Sequence, residues 1–376
     1  MSYDLRELHS IADTLLAKAP LLAKTQISLG FDAFIDQVLK IVRQKEAEGQ
    51  THFFESGLEW GQYIVEKGEK NFSLELVELA SKIGGNMPIT ANALAQMGAQ
   101  VSCVGPLGHP QIHPAFQELP ANCRLYSFGN PGLSHVMEFT SGKIMLANMG
   151  KLHSITWEQV CDSIGMETLR TLFAGADAVA LLNWGELDNS TSLWQGLLKD
   201  ILPGTGSSPQ TLGFFDLADC SSRSAEKIRE ALDLIRAFSA YWQVVLSLNV
   251  NEASILCRIL AGKKVSSMSH EEMAKVIFGY LGIDTVIIHH ARQSLSLSAE
   301  GMALRNSFFV EQPRISTGAG DNFNAGFCTG RLLGLGNGPA LTLGNAISSL
   351  YMQSMQSPDI QSIAHFLLST SDTSDL

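Results

Sequence analysis

The stretch STGAGDNFNAGF, residues 316–327, is the most informative part of this chain. Gly318 and Gly320 permit backbone conformations that other residues avoid, and they let a ligand approach the main chain. Phe323 and Phe327 are four positions apart, which is the spacing of one helix face. A helix that begins just after the glycines presents unpaired N–H groups and the positive end of its dipole. The stretch therefore predicts an anion site, most naturally for a phosphate.

Asp321 follows these glycines directly, and its carboxylate would repel a phosphate bound there. One interpretation is structural, because aspartate is favourable at the cap or in the first turn of a helix. The other is chemical, because in phosphoryl transfer such a carboxylate deprotonates the attacking hydroxyl or helps to hold a metal ion. The stretch alone leaves both interpretations open.

Short apolar runs alternate with longer amphipathic stretches along the rest of the chain. Each run is too short for the core of a helix, and most lack polar alternation, as expected for strands covered on both faces. The alternation predicts parallel βαβ units, and hence an α/β fold with an open, mainly parallel sheet and helices on both faces. The predicted strands are residues 26–29, 101–104, 178–182, 212–215, 244–248 and 285–288. The amphipathic stretches are residues 223–238, 253–260, 273–281 and 341–352.

Two regions, at about residues 37–72 and 107–150, depart from this alternation. In the second, the apolar runs 136–139 and 144–146 flank the turn-forming residues 140–143, as in a hairpin. We expect one large α/β domain over residues 1–376, with the two excursions forming a small β-rich lid over a substrate. The alternative is a pair of ordinary surface insertions.

Composition excludes several classes of protein. The 376 residues include 26 Lys and Arg against 37 Asp and Glu, and this net charge of −11 argues against nucleic-acid binding. No apolar run approaches the roughly 20 residues of a membrane span, and the N-terminus does not resemble a secretory signal. The six cysteines are scattered without a C-x-x-C pair, which indicates reduced thiols and a cytoplasmic protein.

Two further motifs lie before helical stretches. Asn249 and Glu252 follow the apolar run 244–248 with N-x-x-E spacing, which is typical of a capping box. The carboxyl ends of parallel strands are also where α/β sheets bind ligands, so a site is the competing interpretation. Upstream, Gly84-Gly85-Asn86 is either a tight turn or a site whose backbone and amide groups bind ligand hydroxyls.

These pieces, in this order, resemble the ribokinase-like (PfkB-type) carbohydrate kinases. The first family signature reads here from Gly84 to Gly108, and the second, T-G-A-G-D-x-F-x-A-G-F, matches residues 317–327 almost completely. N-x-x-E lies between them. The resemblance spans roughly residues 25–354.

The resemblance implies a Rossmann-like body, a β lid, and an activity that uses ATP with Mg²⁺. Mapped onto the matching positions, Asp321 is the base that deprotonates a sugar hydroxyl. The backbone of Gly318, Ala319 and Gly320 forms the anion hole. Asn249 and Glu252 organise Mg²⁺ and its waters near the triphosphate.

The resemblance also implies the substrate side of the site. Gly84, Gly85 and Asn86 would contact the hydroxyls of the substrate. Either Asp32 or Asp36 would also bind the substrate, and spacing does not decide between them. In the family this aspartate follows its glycine by about five positions, and Asp36 is nearer to that spacing.

On the nucleotide side, the resemblance implies roles for Thr317, which opens the second signature, and for Arg292. Arg292 lies where the family usually has a glycine-containing turn that helps to hold nucleotide. It would contact phosphates there, or merely cap the turn.

The leading hypothesis is an ATP-dependent phosphotransferase that acts on a hydroxyl of a small sugar or polyol. The alternative is a catalytically silent regulatory relative that binds a sugar or nucleotide, because Ile315 and His109 stand where the family commonly has aspartate. Asp321 argues against it, since a mere binder needs no base. A lid with an exposed sheet edge would also allow a homodimer.

Overall fold

The computed structural model describes residues 3–46, 50–140, 142–204, 210–262 and 268–370. Its main feature is a nine-stranded sheet in the order β14-β13-β12-β11-β10-β9-β1-β5-β6. The seven strands from β6 to β12 in this order are parallel, and β13 and β14 are antiparallel. The strands of this sheet are β1 Gln26–Gly30, β5 Gln100–Gly105, β6 Cys123–Ser127, β9 Ala178–Leu181, β10 Leu212–Asp216, β11 Gln243–Asn249, β12 Thr285–His289, β13 Gln293–Ser298 and β14 Gly301–Asn306.

Helices cover both faces of this sheet, as the sequence predicted. Along β9, Ala178 and Ala180 belong to one apolar core, whereas Val179 and Leu181 belong to another on the opposite face. The first core also takes residues from α1, α3, α10, α11 and α12, and the second from α4 to α9. Each fully buried Val, Leu or Ile contributes about 1.5–3 kcal/mol by leaving water, so the two cores hold the sheet between them.

The four predicted amphipathic stretches correspond to α7, α8, α9 and α11, and the structure adds further helices. The helices are α1 Leu5–Leu22, α2 Gly57–Lys67, α3 Asn86–Gln96, α4 Trp157–Ile164, α5 Met166–Ala174, α6 Ser190–Gly196, α7 Ala225–Phe238, α8 Val250–Ala261, α9 His270–Leu281, α10 Ala319–Leu332, α11 Asn337–Ser354 and α12 Ile360–Ser369. Within the described ranges, no helix combines the length and the apolar composition that a membrane crossing requires.

A second, five-stranded sheet stands where the sequence predicted a lid, and it is named here the lid. Its strands are β2 Phe34–Lys45, β3 Thr51–Phe53, β4 Leu76–Gly84, β7 Gly132–Phe139 and β8 Gly142–Asn148. Leu39, Ile41, Phe54, Met137 and Phe139 form its small apolar core. The predicted hairpin is β7 and β8, although Ser141 of its turn lies outside the described residues. The lid sheet also includes residues 34–36 and 76–84, which lie outside the first predicted excursion at 37–72. Conversely, β6 lies inside the second predicted excursion at 107–150 but belongs to the large sheet.

Chain connections place the lid beside the carboxyl edge of the large sheet. β1 ends at Gly30 and β2 of the lid begins at Phe34. β4 leaves the lid through Gly84 and Gly85 directly into α3, which returns to the body. The ends of β1, β9, β10, β11 and β12 therefore face the same region as the inner side of the lid.

Candidate active site

The glycine turn predicted as an anion site lies at the start of α10. Gly318 is the N-cap residue with φ +87°, and no side chain caps the helix. The Ala319 amide donates to the Ser316 carbonyl at 3.1 Å, and the Asn322 amide donates to the Gly318 carbonyl at 3.0 Å. Among the described residues, none accepts a hydrogen bond from the amides of Gly320 or Asp321. The helix start thus presents donors to an anion, as expected, but the Ala319 amide is already used in the turn.

Asp321 is buried in the first turn of α10, and its surroundings favour the protonated form. Burial raises the pKa of its carboxyl well above the ordinary value, and the charges of Asp216 and Asp32 raise it further. Hydrogen bonds from the side chains of Thr90 and Asn86 oppose this rise. The Thr90 hydroxyl donates to Asp321 Oδ1 at 3.3 Å. Asp321 is therefore a strongly basic carboxylate held in a defined orientation by α3.

Asp32 is fully buried, and its carboxylate accepts hydrogen bonds from the start of α3. Its two carboxylate oxygens accept from the amides of Asn86, at 2.8 Å, and Met87, at 2.9 Å. The Asn183 side chain donates to it at 3.0 Å. Gly85, with φ +89°, makes room for it, since a Cβ there would lie 2.6 Å from Asp32 Oδ2. Burial still raises the pKa of Asp32 to about 6.

Asp36 has a different environment from Asp32. It projects from β2 of the lid, and a Cβ on Gly84 would lie 2.2 Å from its Oδ1. Burial raises its pKa to about 6, and Lys82 across the lid sheet partly offsets that rise. Beside each glycine of the Gly84-Gly85 pair, the carboxylate of one aspartate thus occupies the space that a Cβ would need. Asp36 lines the cavity of about 410 Å³ described below, and Asp32 is not among the described residues that line it.

Asn249 and Glu252 form the capping box of α8 and also line the site. The Asn249 side chain accepts from the Glu252 amide at 3.0 Å, and Glu252 accepts from the Asn249 amide at 2.9 Å. Glu252 is nevertheless buried without a cationic partner among the described residues. Burial and the charge of Asp216 raise its pKa to about 9. The two interpretations of N-x-x-E are thus compatible, because one pair of side chains caps a helix and faces a cavity.

A cavity of about 410 Å³, named here the reaction cavity, brings most of the predicted site residues together. It is lined by Asp36, Gly85, Asn86, Asn249, Glu252, Thr317, Gly318, Gly320 and Asp321, with Asn183, Glu186, Asp216, Asp219 and His289 among others. A second cavity of about 390 Å³, named here the side cavity, shares Asn249, His289 and Gly320 with it. Its walls include Phe308, Phe323, Met352, Asn345 and Ser307.

Arg292 lines neither cavity, and among the predicted site residues Asp32 and Gly84 line neither as well. Its guanidinium lies 4.1 Å from the ring centroid of Phe309, and the residue is exposed. A cation–π contact with Phe309 therefore accounts for its position in this structure. Gly84 also does not line the reaction cavity, because it is packed behind Asp36.

Sequence reasoning missed several polar residues of the reaction cavity. Asn183 follows β9 in a left-handed conformation with φ +57°, and it donates to Asp32 and Glu186. His289 ends β12 against Phe323, and burial lowers its pKa to about 4. These two residues, like Asp216, stand at the carboxyl ends of predicted strands, which was an available signal. Thr90 was recognisable only as the residue four positions after Asn86 on one helix face.

Comparisons with known proteins agree with this geometry. A model of the prokaryotic ketohexokinase family matches residues 12–369. A ketohexokinase of Haloferax volcanii is 26% identical over 343 residues, which cover 91% of this chain and 90% of that protein. The structure of Arabidopsis thaliana ribokinase with ribose and ATP has a TM-score of 0.61 at 17% identity, covering 92% of this chain and 99% of that one. A putative ribokinase II from E. coli, in complex with ATP and Mg²⁺, has a TM-score of 0.60 at 14% identity, covering 92% and 99%.

The solved structures confirm the ribokinase-like fold, and the family match covers most of the chain. Both agree with the two signatures read from the sequence and with the α/β body and lid described above. The comparisons give no support to the catalytically silent alternative. The chain belongs to the prokaryotic ketohexokinase family and is an ATP-dependent carbohydrate kinase.

Proposed function

We propose that this kinase phosphorylates a ketohexose, with Asp321 as the base that takes the proton from the attacking hydroxyl. The observation that carries the proposal is the position of Asp321, buried at the unpaired start of α10 within the cavity that Asp36 and Asn86 also line. The family match and the Haloferax volcanii relative support a ketohexose as the sugar.

Asp36, Asn86, Asn183 and Glu186 supply the groups that bind the sugar. Carboxylates accept hydrogen bonds from hydroxyls, and amide side chains can both donate and accept. Asp36 is the aspartate assigned to the substrate, because the oxygens of Asp32 are already engaged by the start of α3. Since Asp36 belongs to the lid, a sugar bound to it would link the lid to the body.

Asp321 receives the proton of the hydroxyl as that oxygen forms its bond to the γ-phosphorus of ATP, while the bond from that phosphorus to the bridging oxygen breaks and ADP leaves. Its raised pKa makes it a stronger proton acceptor than an exposed aspartate. The amides at the start of α10 donate to the oxygens of the phosphoryl group, where negative charge is concentrated. Thr317 and Gly318 complete the wall of the cavity at this point.

The side cavity is the proposed place of the nucleotide base. Its apolar surfaces come from Phe308, Phe323 and Met352, and Asn345 offers both a donor and an acceptor. Asn249, His289 and Gly320 line both cavities, so a triphosphate would pass between them to reach the start of α10.

Mg²⁺ fits the buried carboxylates of Glu252 and Asp216. Both line the reaction cavity, and Glu252 has its pKa raised by burial and by the charge of Asp216. Two such carboxylates need either a proton or a cation when buried together. When bound, Mg²⁺ would neutralise the phosphate charge, and Asn249 would help to hold its waters.

A homodimer through the lid is also proposed. Within the described residues β4 pairs only with β2, which leaves its other edge open there, and Leu76 and Leu79 on it are exposed. Leu146 of β8 is exposed as well. A second copy of the lid would cover these apolar side chains and pair the open edge. Sedimentation equilibrium of the wild type and of Leu79→Lys tests this, and a monomeric wild type would refute it.

The cytoplasm is the proposed location. All six cysteines are free thiols, and Cys103, Cys220, Cys257 and Cys328 are buried. Free buried thiols are typical of proteins from reducing compartments.

The test of function is ADP release from Mg·ATP with a panel of ketohexoses, aldohexoses, pentoses, polyols and nucleosides. We expect release with a ketohexose, and a loss of about 10²–10⁴-fold in kcat for Asp321→Asn with normal folding. Near-wild-type turnover in that variant would remove Asp321 from the mechanism. If ADP is released only with another class of sugar, the ketohexose assignment is refuted but the kinase activity is not.

A further inference from the structure

The turn before α10 lacks the local support that most helix starts have. Its N-cap residue is Gly318, so no side chain can accept from the first amides of the helix. The only backbone bonds inside the turn are those from Ala319 to Ser316 and from Asn322 to Gly318, among the described residues. A turn of this kind, whose amides must point at a phosphoryl group, requires support from elsewhere in the fold.

That support comes from the last turn of α11. The hydroxyl of Tyr351 donates to the carbonyl of Thr317 at 3.0 Å. The amide of Arg314 donates to the carbonyl of Met352 at 2.9 Å. The Met352 carbonyl is one of the last four of the helix, so it has no partner within α11 and is available for this bond.

Tyr351 also packs directly against the turn. A Cβ on Gly318 would lie 2.8 Å from the Tyr351 hydroxyl oxygen, so the hydroxyl packs closer to Gly318 than a residue with a side chain would permit. The Tyr351 side chain is 8% exposed. Burial raises its pKa to about 12, with the charges of Asp321 and Asp36 acting in the same direction, so the hydroxyl remains a donor at neutral pH.

We propose that Tyr351 is a positioning residue for the phosphoryl-transfer site, whose hydroxyl holds the Thr317–Gly318 peptide and thereby aims the amides at the start of α10. Tyr351 lines neither the reaction cavity nor the side cavity, although it lines a third cavity of about 870 Å³ that shares Asp36 and Thr317 with the reaction cavity. Its hydroxyl is bonded to the Thr317 carbonyl, so the proposed action is through Thr317 and Gly318. The helix that carries it also lines the side cavity through Asn345, Ser348 and Met352. α11 thus connects the proposed nucleotide cavity to the anion-binding turn.

The test is Tyr351→Phe, which removes only the hydroxyl. Ser28→Ala is the matched control, because it removes a buried hydroxyl that donates to the Leu172 carbonyl at 2.7 Å, away from the site. Loss of one oxyanion donor costs about 10²–10³-fold in kcat in enzymes, and a residue that positions the donors should cost less, about 10-fold. The KM of the sugar should change by less than about twofold.

Two readouts separate positioning from a general loss of stability. Affinity for ADP with aluminium fluoride and sugar, which mimics the transition state, should fall in Tyr351→Phe by the same factor as kcat, with ADP affinity unchanged. In the protein without ligands, hydrogen exchange of the Ala319 and Asn322 amides should be faster in Tyr351→Phe than in wild type or Ser28→Ala.

The inference rests on the proposed function, but its failure is distinguishable. Unchanged exchange at Ala319 and Asn322 would overturn it, as would equal losses of kcat in Tyr351→Phe and Ser28→Ala. If the wild type phosphorylates no ketohexose, the substrate assignment fails, while the exchange measurement still judges the role of Tyr351.

Discussion

The Thr90 hydroxyl donates to the Asp321 carboxylate at 3.3 Å, although the two residues are 231 positions apart in the chain. Thr90 lies on α3, one turn after Asn86, and the start of α3 is capped by Asp32. Asp321 is thus oriented by a helix from the other end of the chain. The two family signatures meet at this hydrogen bond.

Removal of the Thr90 hydroxyl should shift the pH dependence of the reaction. That hydrogen bond lowers the pKa of Asp321, so in Thr90→Val the pKa should rise, and the base should lose its proton only at higher pH. We expect the acidic limb of the kcat profile to move to higher pH, with rates converging on wild type in alkali. Thr329→Val is the control, since that buried hydroxyl on α10 has no partner among the described residues. An unshifted limb would contradict this role for Thr90.

The two aspartates near β1 should have separable effects. Asp32→Asn should lower the free energy of unfolding by about 1–3 kcal/mol, because an amide cannot accept from both helix amides and from Asn183. Asp36→Asn should leave the free energy of unfolding near that of wild type and raise the KM of the sugar at least tenfold. Urea unfolding and steady-state kinetics measure the two effects. The reverse pattern would exchange the assignments of Asp32 and Asp36.

Glu252 should make stability depend on pH in the absence of Mg²⁺. Its pKa is raised from 4.5 to about 9 in the folded protein, so the folded state holds a proton that the unfolded state has released. The free energy of unfolding should therefore fall as pH rises from about 4.5 to 9, and Glu252→Gln should flatten this fall.

Mg²⁺ should raise the melting temperature most at the alkaline end of that range, and less in Glu252→Gln. Glu272→Gln is the control, because Glu272 caps α9 in the same way but is exposed and away from both cavities. Equal pH dependence in both variants would show that Glu252 is not the group responsible. The measurements are thermal melts across pH, with and without Mg²⁺.

Gly84 should be required for sugar binding through Asp36. An added Cβ would lie 2.2 Å from Asp36 Oδ1, so Gly84→Ala must displace that carboxylate. We expect a raised KM for the sugar and an unchanged KM for ATP. Gly279→Ala on α9 is the control, since a Cβ there meets nothing within 4 Å. Sugar binding unaffected by Gly84→Ala would contradict the assignment of Asp36.

Much of the fold was predictable because its strands are short apolar runs buried on both faces. All six predicted strands are parallel neighbours in the large sheet, and the helical stretches 223–238 and 273–281 contain the buried faces of α7 and α9. The lid was harder to delimit. β4 has mostly exposed residues and no regular alternation, so neither apolar content nor period two marked it as a strand.

The candidate site was predictable only where a motif placed its residues together. The turn at Gly318–Asp321 and the pair Asn249 and Glu252 are local patterns, and the reaction cavity contains them. Asn183 and His289 stand at the ends of predicted strands but belong to no motif. Thr90 belongs to none either, and the sheet and α3 bring these residues to the site. The position of Arg292 in the sequence suggested a contact with nucleotide phosphates, but its guanidinium lies against the ring of Phe309.

By itself the sequence predicted the class of fold and a glycine turn before a helix, because glycine spacing, helix starts and strand ends are local properties of the chain. The resemblance of that turn to a family signature made Asp321 the candidate base. Only the tertiary structure decided which aspartate near β1 faces the reaction cavity, since both lie within six positions of Gly30 and differ only in what surrounds them. It also decided the raised pKa values of Asp321 and Glu252. Those depend on burial and on neighbouring charges from distant segments, which no local pattern of residues contains.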